Sequence, residues 1–182
     1  QAAAARDAAT KVMVDGGASD KDTKAVATKA HQSASSDDEV VAKEVADALE
    51  KQQATNAAKP VAAEAGTKAA DDSKNEGKTT SEQAAAAGEA AAQAMTDAGG
   101  SAQDATDAAV AAAEEAGGSL EDRALAAGAA AAAHAKAAGQ PASEQAGAAR
   151  DEATKVMVDG EASDGDTKAV ATKAHQSASS DD

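Results

Sequence analysis

A chain with no Phe, Tyr, Trp or Ile and only three Leu (Leu49, Leu120, Leu125) cannot fill a core with bulky side chains. Its apolar content is 60 Ala, eleven Val and three Met among 182 residues. Burial is worth about 0.8 kcal/mol per CH₂-sized group, so each Ala methyl contributes little. Joined to a net charge of −15, such a composition lies in the regime of disordered chains. Two routes to a folded state stay open. Ala-lined helices can pack unusually close, or an apolar ligand or neighbouring chains can supply the missing volume. Ala helps the first route, because it has the best helix propensity and no side-chain entropy to lose.

The second constraint is a repeat. Residues 1–38 and 145–182 match at 34 of 38 positions without a gap, differing only at Ala3/Gly147, Ala8/Glu152, Gly17/Glu161 and Lys21/Gly165. The period is 144 residues: one complete helical unit, 1–144, and the start of a second, 145–182. The chain thus reads as a window of a longer tandem array.

Helix punctuation is regular. Ser or Thr followed three residues later by an acid or Gln recurs at Ser19/Asp22, Ser36/Glu39, Thr80/Gln83, Ser101/Asp104, Ser119/Asp122 and Ser163/Asp166, each opening an Ala-rich run. That spacing lets two side chains and two backbone amides satisfy one another at a helix start. Gly16-Gly17, Gly99-Gly100, Gly117-Gly118 and Gly139 stand where runs end, and Pro60 and Pro141 begin new elements. The predicted helices are 2–15, 20–34, 37–54, 60–72, 80–97, 102–115, 120–138, 143–158 and 164–178. Apolar faces are marked by Ala9, Val12 and Met13 on the first and by Val40, Val41, Val45 and Leu49 on the third. The polar run DDSKNEGK, 71–78, is expected as a solvated loop. No strand is expected. The fold class is all-α: an Ala-rich multi-helix bundle or helical solenoid with about seven short antiparallel helices per repeat.

Charge and composition exclude several functions. With 32 Asp and Glu against 17 Lys and Arg, nucleic acid and anionic membrane surfaces repel the chain. The longest apolar run, 124–133, falls short of the roughly 20 residues that a membrane span needs. Absence of Cys removes disulfides and thiolate metal sites. No Gly-rich phosphate loop, calcium loop, zinc spacing or nucleophile motif occurs, so an enzyme is not expected, and neither is a cofactor or a metal. The pairs Asp37-Asp38, Asp71-Asp72 and Glu114-Glu115 fit caps and solvated faces, since acid–base work needs a pocket that shifts a pKa. The three Met serve as gap fillers.

The residues most open to a ligand are His31 and its copy His175. Ala27, Ala30, His31 and Ala34 follow the i, i+3, i+4, i+7 pattern of one helical face, which fits either a histidine hydrogen-bonded within a helix interface or one directed at a ligand. His134, in AAAAAHAKAA, has no acidic neighbour in sequence. Around His31 the segment KVMVDGGASDKDTKAVATKAHQSA, 11–34, resembles the helix-turn-helix of the dinoflagellate peridinin–chlorophyll proteins, through Lys11, Val14, Gly16, Ala18, Asp20, Ala27, Ala30, His31 and Ala34. The second copy adds Gly165 after Asp164. The resemblance implies that His31 and His175 reach a chlorophyll magnesium through water, inside a shell of Ala-rich helices filled by chlorophyll and carotenoid in a thylakoid lumen.

The repeat itself points to a non-catalytic structural or assembly protein. Near-identical copies, extreme residue bias and no catalytic constellation are what a tandem helical polymer shows, with array length in place of a pocket. Its partners are other copies or neighbouring repeats, with an apolar ligand between helices as a further option, and an extracellular or surface filament or matrix is the favoured setting. Ice binding is a third class, although Thr10, Thr23, Thr28, Thr55, Thr67, Thr96 and Thr106 keep no constant spacing.

Overall fold

The computed structural model of the chain describes residues 38–179. Among them the structure is all-α, with six helices and no strand: α1 (Asp38–Asn75), α2 (Thr80–Asp97), α3 (Ala102–Glu115), α4 (Leu120–Ala137), α5 (Ala142–Asp159) and α6 (Asp164–Ser179). The chain divides into two compact units, Gln1–Asn56 and Ala57–Asp182, and the antiparallel helical bundle lies in the second. The helices expected at 2–15 and 20–34, the caps at Ser19 and Ser36, the Gly16-Gly17 stop and His31 lie outside the described residues, as do the side chains of Val40, Val41, Val45 and Leu49.

Local signals set the ends of the helices. Ser101 and Ser119 each accept a hydrogen bond from the amide of the third residue on, at 3.2 Å, and receive that residue's carboxylate on their own amide, Asp104 at 3.0 Å and Asp122 at 2.9 Å. Ser163 caps α6 by accepting from the Asp166 amide at 3.2 Å. At α2 the cap lies one residue earlier than the sequence pattern indicated. Thr79 and Glu82 form the reciprocal pair, and the Gln83 side chain instead donates to the Lys78 carbonyl at 2.7 Å. Pro141 begins α5 without a side-chain cap. Helices α1 to α5 end alike, the amide of one residue bonding a carbonyl five back: Lys78 to Ser73, Gly100 to Met95, Gly118 to Ala113, Gln140 to Ala135 and Ala162 to Met157. The residue before each of those amides has positive φ, and it is Gly at 77, 99, 117 and 139 but Glu at 161, where φ is 58°.

Two expectations are corrected in α1. Pro60 does not begin a new helix; it lies inside one that runs from Asp38 to Asn75. Its missing N–H removes the bond to Asn56, yet nothing between 54 and 60 supplies a stop, because the run TNAAKP has no Gly for a left-handed cap. The run DDSKNEGK is likewise helical through Asn75, and the loop is only 76–79. Polarity reports exposure, whereas the terminating signal is Gly77.

The core is made of alanine. Ala84, Ala87, Ala91, Ala105, Ala109, Ala113, Ala124, Ala127 and Ala153 are all inaccessible to solvent, and Met95 is the largest fully buried side chain. Close approach makes up the missing volume. A Cβ built on Gly88 of α2 would lie 2.8 Å from Ala126 Cβ on α4 and 3.2 Å from the Ala109 carbonyl oxygen on α3. One on Gly128 of α4 would lie 2.8 Å from the Ala149 oxygen on α5 and 3.2 Å from Ala174 Cβ on α6. Only Gly lets these backbones meet, at a helix-propensity cost of about 1 kcal/mol each. Two buried clusters result. One joins Ala58 and Ala62 of α1 to α2, α3 and the Ala126/Ala130 face of α4; the other joins Ala124 of α4 to Ala149, Ala153, Met157, Val170 and Ala174. Helix α4 therefore serves both.

Candidate functional site

Because small side chains cannot cover every gap between helices, shallow grooves remain among the described residues, two of them of about 400 Å³ or more. The larger, about 430 Å³, runs between α3 and α5 across the start of α4, with Val110, Leu120 and Val156 among its apolar lining residues. Five polar side chains from three helices organise it. Lys155 of α5 donates to Gln103 Oε1 on α3 at 3.0 Å and lies 3.5 Å from Glu152, while Arg123 Nη1 lies 3.3 Å from Glu114. Arg123 Nε and Glu152 Oε2 are buried without a hydrogen-bond partner. Both side chains are 28% exposed, so their other atoms keep contact with water. The smaller groove, about 400 Å³, lies between α5 and α6 and includes Thr154, Val158, Thr167, Lys168 and Ala171.

Two cap carboxylates are shifted from their ordinary pKa values. Burial pushes the Asp122 carboxyl up, but hydrogen bonds from the Ser119 hydroxyl and amide and from Ser81, with the Lys173 charge, together outweigh it and hold the group below the usual carboxylate range. Glu82 is held low by the Thr79 hydroxyl and then by the Thr79 amide. Lys173 of α6 reaches Glu121 of α4 at 2.9 Å, the same step of two helices and 52 residues that Lys155 makes to Gln103.

His175 lies on α6 with its Nδ1 3.1 Å from the Ala146 carbonyl oxygen of α5, so Nδ1 carries the proton. The preceding positions of its face, Ala171 and Ala174, are buried, and His175 itself lies at the exposed edge of that face. His134, half-buried, stands in the last turn of α4, where a cationic side chain favours the helix dipole. Neither histidine lines either groove. Asp72 pairs with exposed Lys68, and Glu114 with Arg123, so these members of the sequence-level acidic pairs are engaged in ion pairs. Among the described residues no group of three His, Asp or Glu is placed to hold a metal ion, and no helix is long and apolar enough to cross a membrane.

Four of the residues that organise the larger groove escaped sequence reasoning. Gln103, Arg123, Glu152 and Lys155 come from three helices and share no motif. One signal did exist: Glu152 is among the four positions at which the two copies differ, standing where the first has Ala8. Compared with known proteins, the chain matches no family model, no curated protein and no solved structure.

Proposed function

We propose that this protein is a non-catalytic structural module, a window of a tandem array in which 144-residue units of antiparallel helices, one fewer per unit than the seven expected because α1 is continuous through Pro60, continue one into the next as a solenoid. The observation that carries this reading is the progressive packing order. Helices α2, α3 and α4 pack on one another, then α4, α5 and α6 do the same, and α4 belongs to both sets. Gly88 and Gly128 make the same step, each meeting the backbone of the next helix and an Ala methyl of the one after. A packing rule of this kind can be repeated indefinitely, and the sequence repeats. The cross-helix pairs Lys155–Gln103 and Lys173–Glu121 fit it, linking helices two apart along the stack.

The work of such a module is to set length and spacing, with neighbouring repeats as its partners. Small-angle scattering on chains of one, two and three periods tests this. A maximum dimension that grows in proportion to the number of periods is expected. A cube-root growth, the mark of periods collapsing into one globule, overturns it.

A further inference from the structure

We propose that the seat which α4 offers to the α5–α6 hairpin also accepts residues 1–38 of a second copy of this chain, so that copies join by hairpin exchange. The seat is defined by close contacts. Gly128 admits the Ala149 carbonyl and the Ala174 methyl, and Ala124 packs with Ala149, Ala153, Met157, Val170 and Ala174. Lys173 reaches across to Glu121, and the hairpin is braced internally by His175 on the Ala146 carbonyl. Every one of these hairpin residues recurs 144 positions earlier, as Ala5, Ala30, Ala9, Met13, Val26, Lys29, His31 and Ala2.

The four differences decide whether the exchange is tolerated, and all four lie off the seat. A Cβ on Gly147 meets nothing within 4 Å, so Ala3 fits in its place. A Cβ on Gly165 meets only Ser163 Oγ, at 3.8 Å, and the position is exposed, so Lys21 fits. Glu161 holds a φ of 58°, a conformation open to any Gly without strain, so Gly17 fits in its place. Ala8 in place of Glu152 removes a buried carboxylate oxygen that lacks a hydrogen-bond partner, at the loss of one 3.5 Å contact to Lys155. The segment 1–38 thus carries nothing the seat refuses. The chain's own hairpin is tethered to α4 by a short turn, which gives it an effective concentration in the millimolar range and makes it the usual occupant. Exchange is then a matter of protein concentration and of passing through an opened state, as in domain swapping. The inference goes beyond the array reading, since it requires only that the two segments be interchangeable on α4.

Two measurements on the full chain test it. In the first, Gly147→Ala, Glu152→Ala, Glu161→Gly and Gly165→Lys are combined, which writes the 1–38 sequence into the seat. The helical circular dichroism is expected to be unchanged and the melting temperature equal or higher. A fall of more than about 4 °C, roughly the effect of 1 kcal/mol in a chain of this size, overturns the proposal. In the second, the unmodified chain is unfolded and refolded near millimolar concentration and its mass is read by light scattering, beside a chain carrying Ala5→Glu and Ala30→Glu, which leaves α4 and the resident hairpin intact. Oligomers from the first chain and monomer from the second are expected. Monomer from both overturns the proposal, and so do oligomers from both, because they would show α5–α6 itself being exchanged. Either failure leaves the scattering result on multi-period chains unaffected, so the two readings fall separately.

Discussion

The two halves of the bundle that share α4 solve the same packing problem with different quality of fit. On the α1–α3 side the core is almost purely alanine around Met95, the caps at Thr79, Ser101 and Ser119 are reciprocal, and the turns use Gly at positive φ. On the α5–α6 side larger groups enter: Met157 and Val170 are buried, and Leu120, Leu125 and Val156 pack against them. That side also holds the imperfections, namely Pro141 without a side-chain cap, Glu161 in the left-handed region and the buried Arg123 Nε and Glu152 Oε2 without hydrogen bonds. The contrast teaches that an alanine core depends on backbone precision. Where helices close to methyl contact, each cap and turn must be right, and where Val and Leu fill space, a local misfit is tolerated.

The sharpest way to break the comparison is at Gly128. A methyl there meets the Ala149 carbonyl, and backbone cannot give way as a flexible side chain can. Gly128→Ala is expected to cost about 3 kcal/mol, the upper end for overpacking. Hydrogen exchange should show α5 and α6 losing protection before α2 and α3. Equal loss on both sides would mean that the bundle responds as one unit.

Glu161→Gly is expected to act in the opposite direction, stabilising by roughly 1 kcal/mol through relief of the left-handed strain. Urea unfolding followed at 222 nm measures it, since the chain has no Trp or Tyr to report by fluorescence. Ser119→Ala should cost about 1 kcal/mol, as loss of an N-cap does. It also removes the Ser119 hydroxyl bond to Asp122, leaving the residue-119 amide, Ser81 and Lys173 alone to oppose burial, so the Asp122 pKa rises.

A pH dependence follows from the same groups. Asp122 and Glu82 have folded pKa values below their ordinary ones, so their stabilisation is present above the unfolded pKa, near 4, and is lost as pH falls through the lower folded value. Unfolding on acidification is therefore expected to set in below about pH 4, and at higher pH in Ser119→Ala than in the unmodified chain. The smallest effect is expected at Glu152→Ala, within about 0.5 kcal/mol of neutral, because a buried oxygen without a hydrogen bond and its 3.5 Å contact to Lys155 disappear together.

Much of the bundle was legible because its signals are local. Ser101/Asp104 with Gly117-Gly118 bracket α3, and Ser119/Asp122 with Gly139 bracket α4, each set within a few residues of the helix it bounds. Pro60 misled because a proline disrupts one turn but ends a helix only when a stop stands beside it. Thr79 and Thr80 are equivalent in composition, and only the geometry of the loop from Gly77 decides which faces the open amides. At the candidate site, the position of His175 on a helical face was legible, whereas its bond to Ala146 requires α5 and α6 to be set side by side. The polar pairing across the larger groove was not legible, since Gln103 and Lys155 are 52 residues apart.

By itself the sequence determined that the described residues are helical, where most of their helices begin and end, that they must be lined by alanine, and that the unit recurs after 144 residues, because caps, stops, propensity and repeat are properties of neighbouring residues and of composition. Only the tertiary structure decided how a core is made from them. In sequence Gly88 and Gly128 register as helix-weakening residues; in the bundle they are the places where a neighbouring backbone fits, because steric exclusion at 2.8 Å exists only between helices already brought together.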